Sequence, residues 1–459
     1  MAPTRQMGPA LRLAARVALA LALWAGMSAG GCAQPAASNR AATAALQDPP
    51  VMSEEAGWEW DFSWQGWGGL HYALVAHTAV GDPGSVLRFD EVSLAGAVGG
   101  RLEVDGANFS TSGSLTGFDD GFELRRARVR LKGGAILVVP LRYKLEFGYV
   151  PNKFNLADFY VAVPNLDYVG ALQFGYFQPS MSLQILTSSW DIGLMEPAAP
   201  LQAIVPGDSP GLSAGKPWGR EAGTWSLGAY GSSSAAEYGS SIKNLSTLIG
   251  RITWLPVDDR RADGAAAPRL VHLGLSGNLQ LSSNGQLRFR ARPESYIAPY
   301  VIDTGTISTD RASTVALEAA WMDGNLSAQG EVLQTAVEQT GVGWLHFGGG
   351  YLQLNWSATG ESRPYDRQTG TIGRLRPQRD FGFGAHEGWG ALELALRASY
   401  TDLSDGGVQG GRLSLLMGGV NWYLSPQLKW MFNLGSGMVH GGATPGRMLI
   451  AQLRVGVDF

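Results

Sequence analysis

Residues 141–149 read Leu141-Arg142-Tyr143-Lys144-Leu145-Glu146-Phe147-Gly148-Tyr149. Leu141, Tyr143, Leu145, Phe147 and Tyr149 take every second position, and Arg142, Lys144, Glu146 and Gly148 stand between them. A period of two sends successive side chains to opposite faces of a strand, so this segment has one oily and one watery surface. A helix would scatter the same two sets around its circumference. The division recurs along the chain. Val271, Leu273, Leu275, Leu279 and Leu281 oppose His272, Ser276, Asn278 and Gln280. Leu392, Leu394, Leu396, Ala398 and Tyr400 oppose Glu393, Arg397 and Ser399, and Leu428, Trp430, Phe432 and Leu434 oppose Lys429 and Asn433.

A tilted strand crosses the hydrocarbon layer in about 9–11 residues, which is the length of these stretches. Lipid offers no hydrogen bonds to a strand edge, so a sheet that spans it must close on itself. About sixteen candidate strands separated by Gly, Pro, Asp and Asn clusters predict an all-β fold: a transmembrane antiparallel β-barrel of about 16 strands, whose interior at that size is an aqueous channel. Membrane lipid is then a partner of the outer wall. The last strand sets Leu449, Ala451, Leu453, Val455, Val457 and Phe459 against Gln452, Arg454 and Asp458. A terminal Phe on an alternating strand resembles the signal read by the outer-membrane barrel-assembly machinery.

The composition agrees with such a wall. Charged residues make up 16% of the 459, below the roughly 25% usual in soluble domains. The first 33 residues carry Arg5, Arg12 and Arg16, an apolar run from Leu11 to Trp24 interrupted only by Arg12 and Arg16, and small residues to Ala33, which predicts a secretory signal. Residues 34–56 read as a linker without sustained period, and the barrel is expected over 57–459. The formal charge is −4, and removing a basic signal makes the remainder more acidic. Any attraction for anions must therefore come from local basic clusters.

Cys32 is the single cysteine, so no intrachain disulfide or Cys-based metal site is possible. Gly31-Cys32-Ala33 offers an ordinary cleavage site, while Ala29-Gly30-Gly31-Cys32 is a lipobox-like alternative that would acylate Cys32. The six histidines, His71, His77, His272, His346, His386 and His440, lack metal-ligand spacing. No metal, cofactor or nucleic acid is expected. Gly211-Leu-Ser213-Ala-Gly215 matches a nucleophile-elbow pattern but sits in a Pro- and Gly-rich setting rather than between a strand and a helix. His272 and Ser276 share one strand face, which keeps a barrel hydrolase as a second reading. A non-conducting structural barrel is the third.

Arg126, Arg128 and Arg130 share one parity against Ala127, Val129 and Leu131, so they form a ladder on the watery face, and Arg142 and Lys144 extend it on the next strand. Arg288, Arg290 and Arg292 repeat the spacing. An Arg guanidinium suits anion passage because its planar fork meets oxyanions with paired donors and stays charged.

Four blocks resemble the phosphate-selective porin O and P family. They are Asp120-Gly-Phe-Glu-Leu-Arg-Arg-Ala-Arg-Val-Arg-Leu131 with Ala157-Asp-Phe-Tyr160; Leu172-Gln-Phe-Gly-Tyr-Phe-Gln-Pro179 running through Leu186-Thr-Ser-Ser-Trp-Asp-Ile192 to Met195-Glu196; Thr359-Gly-Glu-Ser-Arg-Pro-Tyr-Asp366 with the strand Trp389 to Leu403; and Gly419-Val-Asn-Trp-Tyr-Leu424. The resemblance implies a sixteen-stranded outer-membrane porin, not an enzyme, usually a homotrimer, with a loop folded into the lumen and basic residues along an anion path. Small anions such as phosphate are the implied solutes. It implies roles for the paired Arg125 and Arg126, for Asp158 as the acidic member of the cluster, and for Arg290-Ala-Arg-Pro293 as a second arginine row. Residues 179–221 are too long for a turn and show no sustained alternation, which makes them the expected constriction loop. Three departures stand out: Gln173, Ile185 and Trp190 occupy positions where phosphate-selective members carry lysines. Pro197 and the region near Gly69 also lack expected arginines. These changes predict a general or weakly anion-preferring channel.

Overall fold

The computed structural model describes residues 57–64, 70–77, 92–136, 139–150, 153–231, 245–259, 269–281, 285–383 and 388–459. The signal, Cys32 and the 34–56 linker lie outside the described residues. Sixteen strands form one antiparallel sheet whose last member pairs with its first: β3 (Val92–Gly113), β4 (Gly121–Ile136), β5 (Pro140–Val150), β6 (Lys153–Leu166), β7 (Gly170–Phe177), β8 (Ser209–Trp218), β9 (Gly223–Gly231), β10 (Leu245–Asp258), β11 (Leu270–Leu281), β15 (Ile307–Asp323), β16 (Leu326–Gln339), β17 (Gly343–Ser357), β20 (Ala391–Asp405), β21 (Val408–Tyr423), β22 (Leu428–His440) and β23 (Gly446–Asp458). Before them, β1 (Gly57–Trp64) and β2 (Leu70–His77) form a hairpin whose second strand pairs with the first part of β3, Ala76 with Val92 through Leu70 with Val98. Loop residues supply the two-residue strands β12 (Gln286–Leu287), β13 (Arg290–Ala291), β14 (Ile302–Asp303), β18 (Tyr365–Asp366) and β19 (Thr371–Ile372).

The seam closes on Arg101 opposite Asp458, and the backbones of Gly100 and Phe459 exchange hydrogen bonds of 2.7 and 2.9 Å. The alternation predicted for Leu141–Tyr149 holds: Phe147 is 54% exposed on the outer wall while Glu146 beside it is buried inside. Leu352, Leu416, Leu434 and Leu449 are likewise exposed outward, as the apolar band of a lipid-facing barrel requires.

The interior departs from a simple wet face. Three connections fold inward: residues 178–208, with short helices α1 (Leu183–Leu186) and α2 (Ala199–Ile204), residues 285–306, and residues 358–383. Met181, Leu194, Leu201 and Ile204 of the first connection pack against Leu333, Phe347, Leu413, Met417 and Ile450 of the inner wall in one buried apolar cluster. Two wall glycines seat this loop. A Cβ at Gly456 would lie 2.7 Å from the Trp190 ring, and one at Gly419 would lie 2.6 Å from Leu194, so both positions need a bare backbone. The expectation of an irregular segment over 179–221 is corrected at its far end. Ser209–Trp218 is the wall strand β8, paired with β7 and β9. Its Gly, Pro and Ser content hides the alternation, while its backbone keeps both ladders.

Candidate functional site: the lumen

A connection without regular structure leaves carbonyls unpaired, and burying them requires donors. The inner wall provides these. Ser276 Oγ donates to the Met181 carbonyl at 2.5 Å, Asn421 Nδ2 to Gly193 at 2.7 Å, Arg454 Nη1 to Met195 at 2.5 Å and Arg397 Nη1 to Glu196 at 2.8 Å. Lys429 donates to the Trp190 carbonyl, and Arg363, from the 358–383 connection, donates to that of Asp191. Carboxylates hold the loop's amides: Glu331 accepts from Gln184 N at 2.9 Å and Glu294 accepts from Ala199 N at 3.1 Å.

Glu196 is the loop's charged anchor. It takes the Arg125 fork at 2.8 and 3.0 Å and Arg454 at 2.6 Å, and Arg454 also grips Asp105 through two 2.7 Å bonds. Burial opposes ionisation of Glu196, but Arg125 and Arg454 outweigh it and hold the carboxyl well below the usual range. Arg125 points inward because the ladder slips there: Glu103 pairs with Arg126 and Val104 with Leu124, leaving Arg125 as the extra residue of a bulge. Arg126 is paired with Glu103 at 2.5 Å. Both members of the Arg125-Arg126 pair are therefore buried and ion-paired.

On β4, β5 and β6 several inward charged side chains remain partly exposed. On this wall Arg128, Lys144 and Asp158 keep side-chain exposures of 26%, 25% and 20%. Arg128 meets Glu146 at 2.7 Å, and Lys144 meets Glu146 at 3.3 Å and is hydrogen-bonded to Asp158. Asp208, at the end of the 178–208 connection, faces the same group. Burial and the nearby Asp158 push its carboxyl up to about 7. Towards the C-terminal end of the barrel, Lys132 and Arg142 occupy exposed inward positions. There Arg130 shares Asp458 Oδ1 with Arg374 at 3.4 and 3.3 Å, while Arg101 takes the other oxygen at 2.7 Å.

Arg288, Arg290 and Arg292 do not lie on a spanning strand as their spacing suggested. They belong to the inward 285–306 connection, whose β13–β14 hairpin pairs Arg290 with Asp303. Arg288 forks onto Asp303 at 2.8 and 2.5 Å. Arg290 and Arg292 stack on Tyr300, with guanidinium carbons 4.0 and 4.4 Å from its ring centre.

Gln173 lies on the inner face of β7 opposite Ala162, and Ile185 packs against the apolar cluster. Trp190 is wholly buried, with Arg101 5.4 Å, Arg374 5.3 Å and Lys429 4.5 Å from its ring. Cations thus surround an apolar ring at a position where the resemblance led to a lysine. Arg101, Glu103 and Asp105 were missed, although their i, i+2, i+4 spacing marked one inward face. Arg374 escaped because nothing in its sequence shows that its loop turns inward.

The hydrolase pairing does not form. His272 Nδ1 is 2.7 Å from Tyr365 Oη and Nε2 is 3.1 Å from Glu318, while Ser276 donates to the Met181 carbonyl.

The family profile described as "Phosphate-selective porin O and P" matches residues 97–458. The chain is 28% identical over 376 residues to an "Uncharacterized protein" of Caulobacter vibrioides, covering 78% of this chain and 73% of that one. It is 24% identical over 380 residues to Porin O of Pseudomonas aeruginosa, covering 72% and 80%. Similar solved structures include the anion-selective porin from Comamonas acidovorans, with a TM-score of 0.46, 13% identity and coverage of 80% of this chain and 100% of that one. Salmonella typhi OmpF in complex with daunomycin gives a TM-score of 0.49, 10% identity and coverage of 80% and 98%. The profile runs from within β3 to the end of β23 and so takes in nearly all of the barrel; the chain belongs to the phosphate-selective porin O and P family and is an outer-membrane porin.

Proposed function

We propose that this porin passes small hydrophilic solutes by passive diffusion with a modest preference for anions and without a tight phosphate site. The observation that carries this reading is the β4–β6 wall, where Arg128 and Lys144 face the open lumen already matched by Glu146 and Asp158. Exposed Lys132 and Arg142 leave a positive remainder that attracts anions, while the neighbouring carboxylates keep any single site shallow. Export through residues 1–33, a barrel unit over 57–459, assembly through the terminal strand and a homotrimer belong to the same proposal.

Planar-bilayer recordings of the purified protein in a potassium chloride gradient test it. The reversal potential should show chloride favoured over potassium by a small factor, and phosphate should reduce chloride current only at millimolar concentration or above. Block by micromolar phosphate would refute the absence of a tight site, and a cation-selective reversal potential would refute the anion preference.

A further inference from the structure

We infer that the inward 285–306 connection carries a docking site for aromatic carboxylates, built on Tyr300 with Arg290 and Arg292. The inference rests on reading the lumen as a solute path and goes beyond it by naming a solute class.

The site is rigid from below. Phe289, Ala291, Val301 and Ile302 of the hairpin are buried in the apolar cluster. Val301 N donates to the Ala291 carbonyl at 3.0 Å and Thr304 N to the Phe289 carbonyl at 2.9 Å. The tip is tied down by Glu294, which accepts from Arg397 at 2.8 Å and from Ser399 at 2.6 Å. On this base sits an alternating series of guanidinium and phenol groups. Arg290 lies 4.0 Å from the Tyr300 ring centre and Arg292 4.4 Å from it. Arg292 is also 4.9 Å from Tyr296, and Arg125 is 3.9 Å from Tyr296.

The cations in this series differ in what neutralises them. Arg125 has Glu196, and the neighbouring Arg288 has Asp303. Arg292 spends one nitrogen on the carbonyls of Tyr296 and Ala298. Among the described residues neither Arg290 nor Arg292 forms an ion pair with a carboxylate; Asp303 and Glu123 act on them only from beyond ion-pair distance, so part of their charge stays available to a ligand. Stacking on a phenol covers the face of a guanidinium and leaves its in-plane N–H groups for an oxyanion. Tyr300 itself remains 40% exposed. A solute with a carboxylate for the guanidinium edge and a flat ring for the open part of Tyr300 uses both features. Acetate and inorganic phosphate use only the first.

The test compares benzoate with acetate, which share a head group and a charge and differ in the ring. In bilayers holding the purified full chain, benzoate should depress chloride current at a concentration roughly three- to tenfold below that of acetate, the range an offset or edge-on aromatic pair supplies. Tyr300→Leu should bring the two anions together, Tyr300→Phe should keep them apart, and Arg290→Gln should weaken both by a similar factor. Equal potency in the unaltered protein, or a benzoate advantage that survives Tyr300→Leu, overturns the site. Calorimetric titration of both anions into detergent-folded protein separates the two readings. If no current is seen but benzoate binds more tightly than acetate and loses that advantage in Tyr300→Leu, the docking site stands and the channel reading fails. If current flows and neither method distinguishes the anions, the channel stands and the docking site fails.

Discussion

Replacing Asp158 by Asn removes one negative charge from the open wall while leaving an amide oxygen for Lys144. Asp158 is 20% exposed and hydrogen-bonded to Lys144; take a permeating ion at about 7 Å from its carboxylate, roughly one side-chain layer away. At that distance a unit charge in a water-like medium contributes about 0.6 kcal/mol. Screening with a Debye length of about 10 Å at 0.1 M salt cuts this to about 0.3 kcal/mol. The change favours anions and disfavours cations by the same amount, so the two effects add to about 0.6 kcal/mol, close to a threefold rise in the ratio of anion to cation permeability. Reversal potentials measured across a potassium chloride gradient, variant against unaltered protein, read that ratio directly. The shift should shrink as salt is raised. A ratio that is unchanged or moves towards cations would refute the argument that Asp158 offsets Lys144 in the conducting path.

Arg454→Met should leave Asp105 and Glu196 without their shared cation in a fully buried site, and removing one partner of a buried pair typically costs about 3–5 kcal/mol; the temperature at which the folded band is lost on gels should fall. Trp190→Lys should not create tight phosphate binding, because residue 190 is wholly buried with Arg101, Arg374 and Lys429 around it; micromolar phosphate block in this variant would contradict the geometry. Asp208, with its carboxyl pushed up to about 7 by burial and Asp158, is neutral below that pH and charged above it. Anion preference should therefore decline as pH rises through about 7, and Asp208→Asn should flatten the profile. The folded form holds this proton more tightly than the unfolded chain does, so Asp208 also makes the barrel less stable as pH rises from the ordinary carboxylate range to about 7, with no further change above.

The barrel was legible because lipid on one side and polar groups on the other impose a strict alternation, and Leu141–Tyr149 or Leu428–Leu434 could satisfy nothing else. Where a loop replaces water inside, that rule weakens. Leu413, Leu415 and Met417 face inward on β21 yet are buried and apolar, because inward connections cover this strand: β14 of the 285–306 connection packs on it, and Leu194 of the 178–208 connection reaches it at Gly419. Sequence pattern also cannot show that Arg288, Arg290 and Arg292 ride on an inward hairpin. Their every-other spacing is that of a strand, but the strand formed is only two residues long. The Arg125 bulge was foreshadowed by a broken parity, whereas the burial of Arg125 and Arg126 depended on Glu196 and Glu103, which are distant in sequence from one or both of them.

These placements divide the basic residues of the lumen into two groups with different work. Arg397, Lys429 and Arg454 are wholly buried, and each donates to a carbonyl of the constriction loop. An irregular segment inside a barrel has no ladder to satisfy its carbonyls, and a long cationic side chain from the wall reaches them where a shorter one would not. Desolvating the two guanidiniums is tolerable only with carboxylates beside them, which is why Asp105, Glu196 and Glu294 are buried in the same place. Most positive charge on that side of the lumen is therefore committed to holding the loop and is cancelled locally. What remains for a passing anion comes from Lys132 and Arg142 on one wall, beside the carboxylate-matched Arg128 and Lys144, and from Arg290 and Arg292 on the inward hairpin. On the proposed reading, selectivity in this porin follows from the few cations its own architecture leaves unneutralised, and counting arginines in the sequence overstates it.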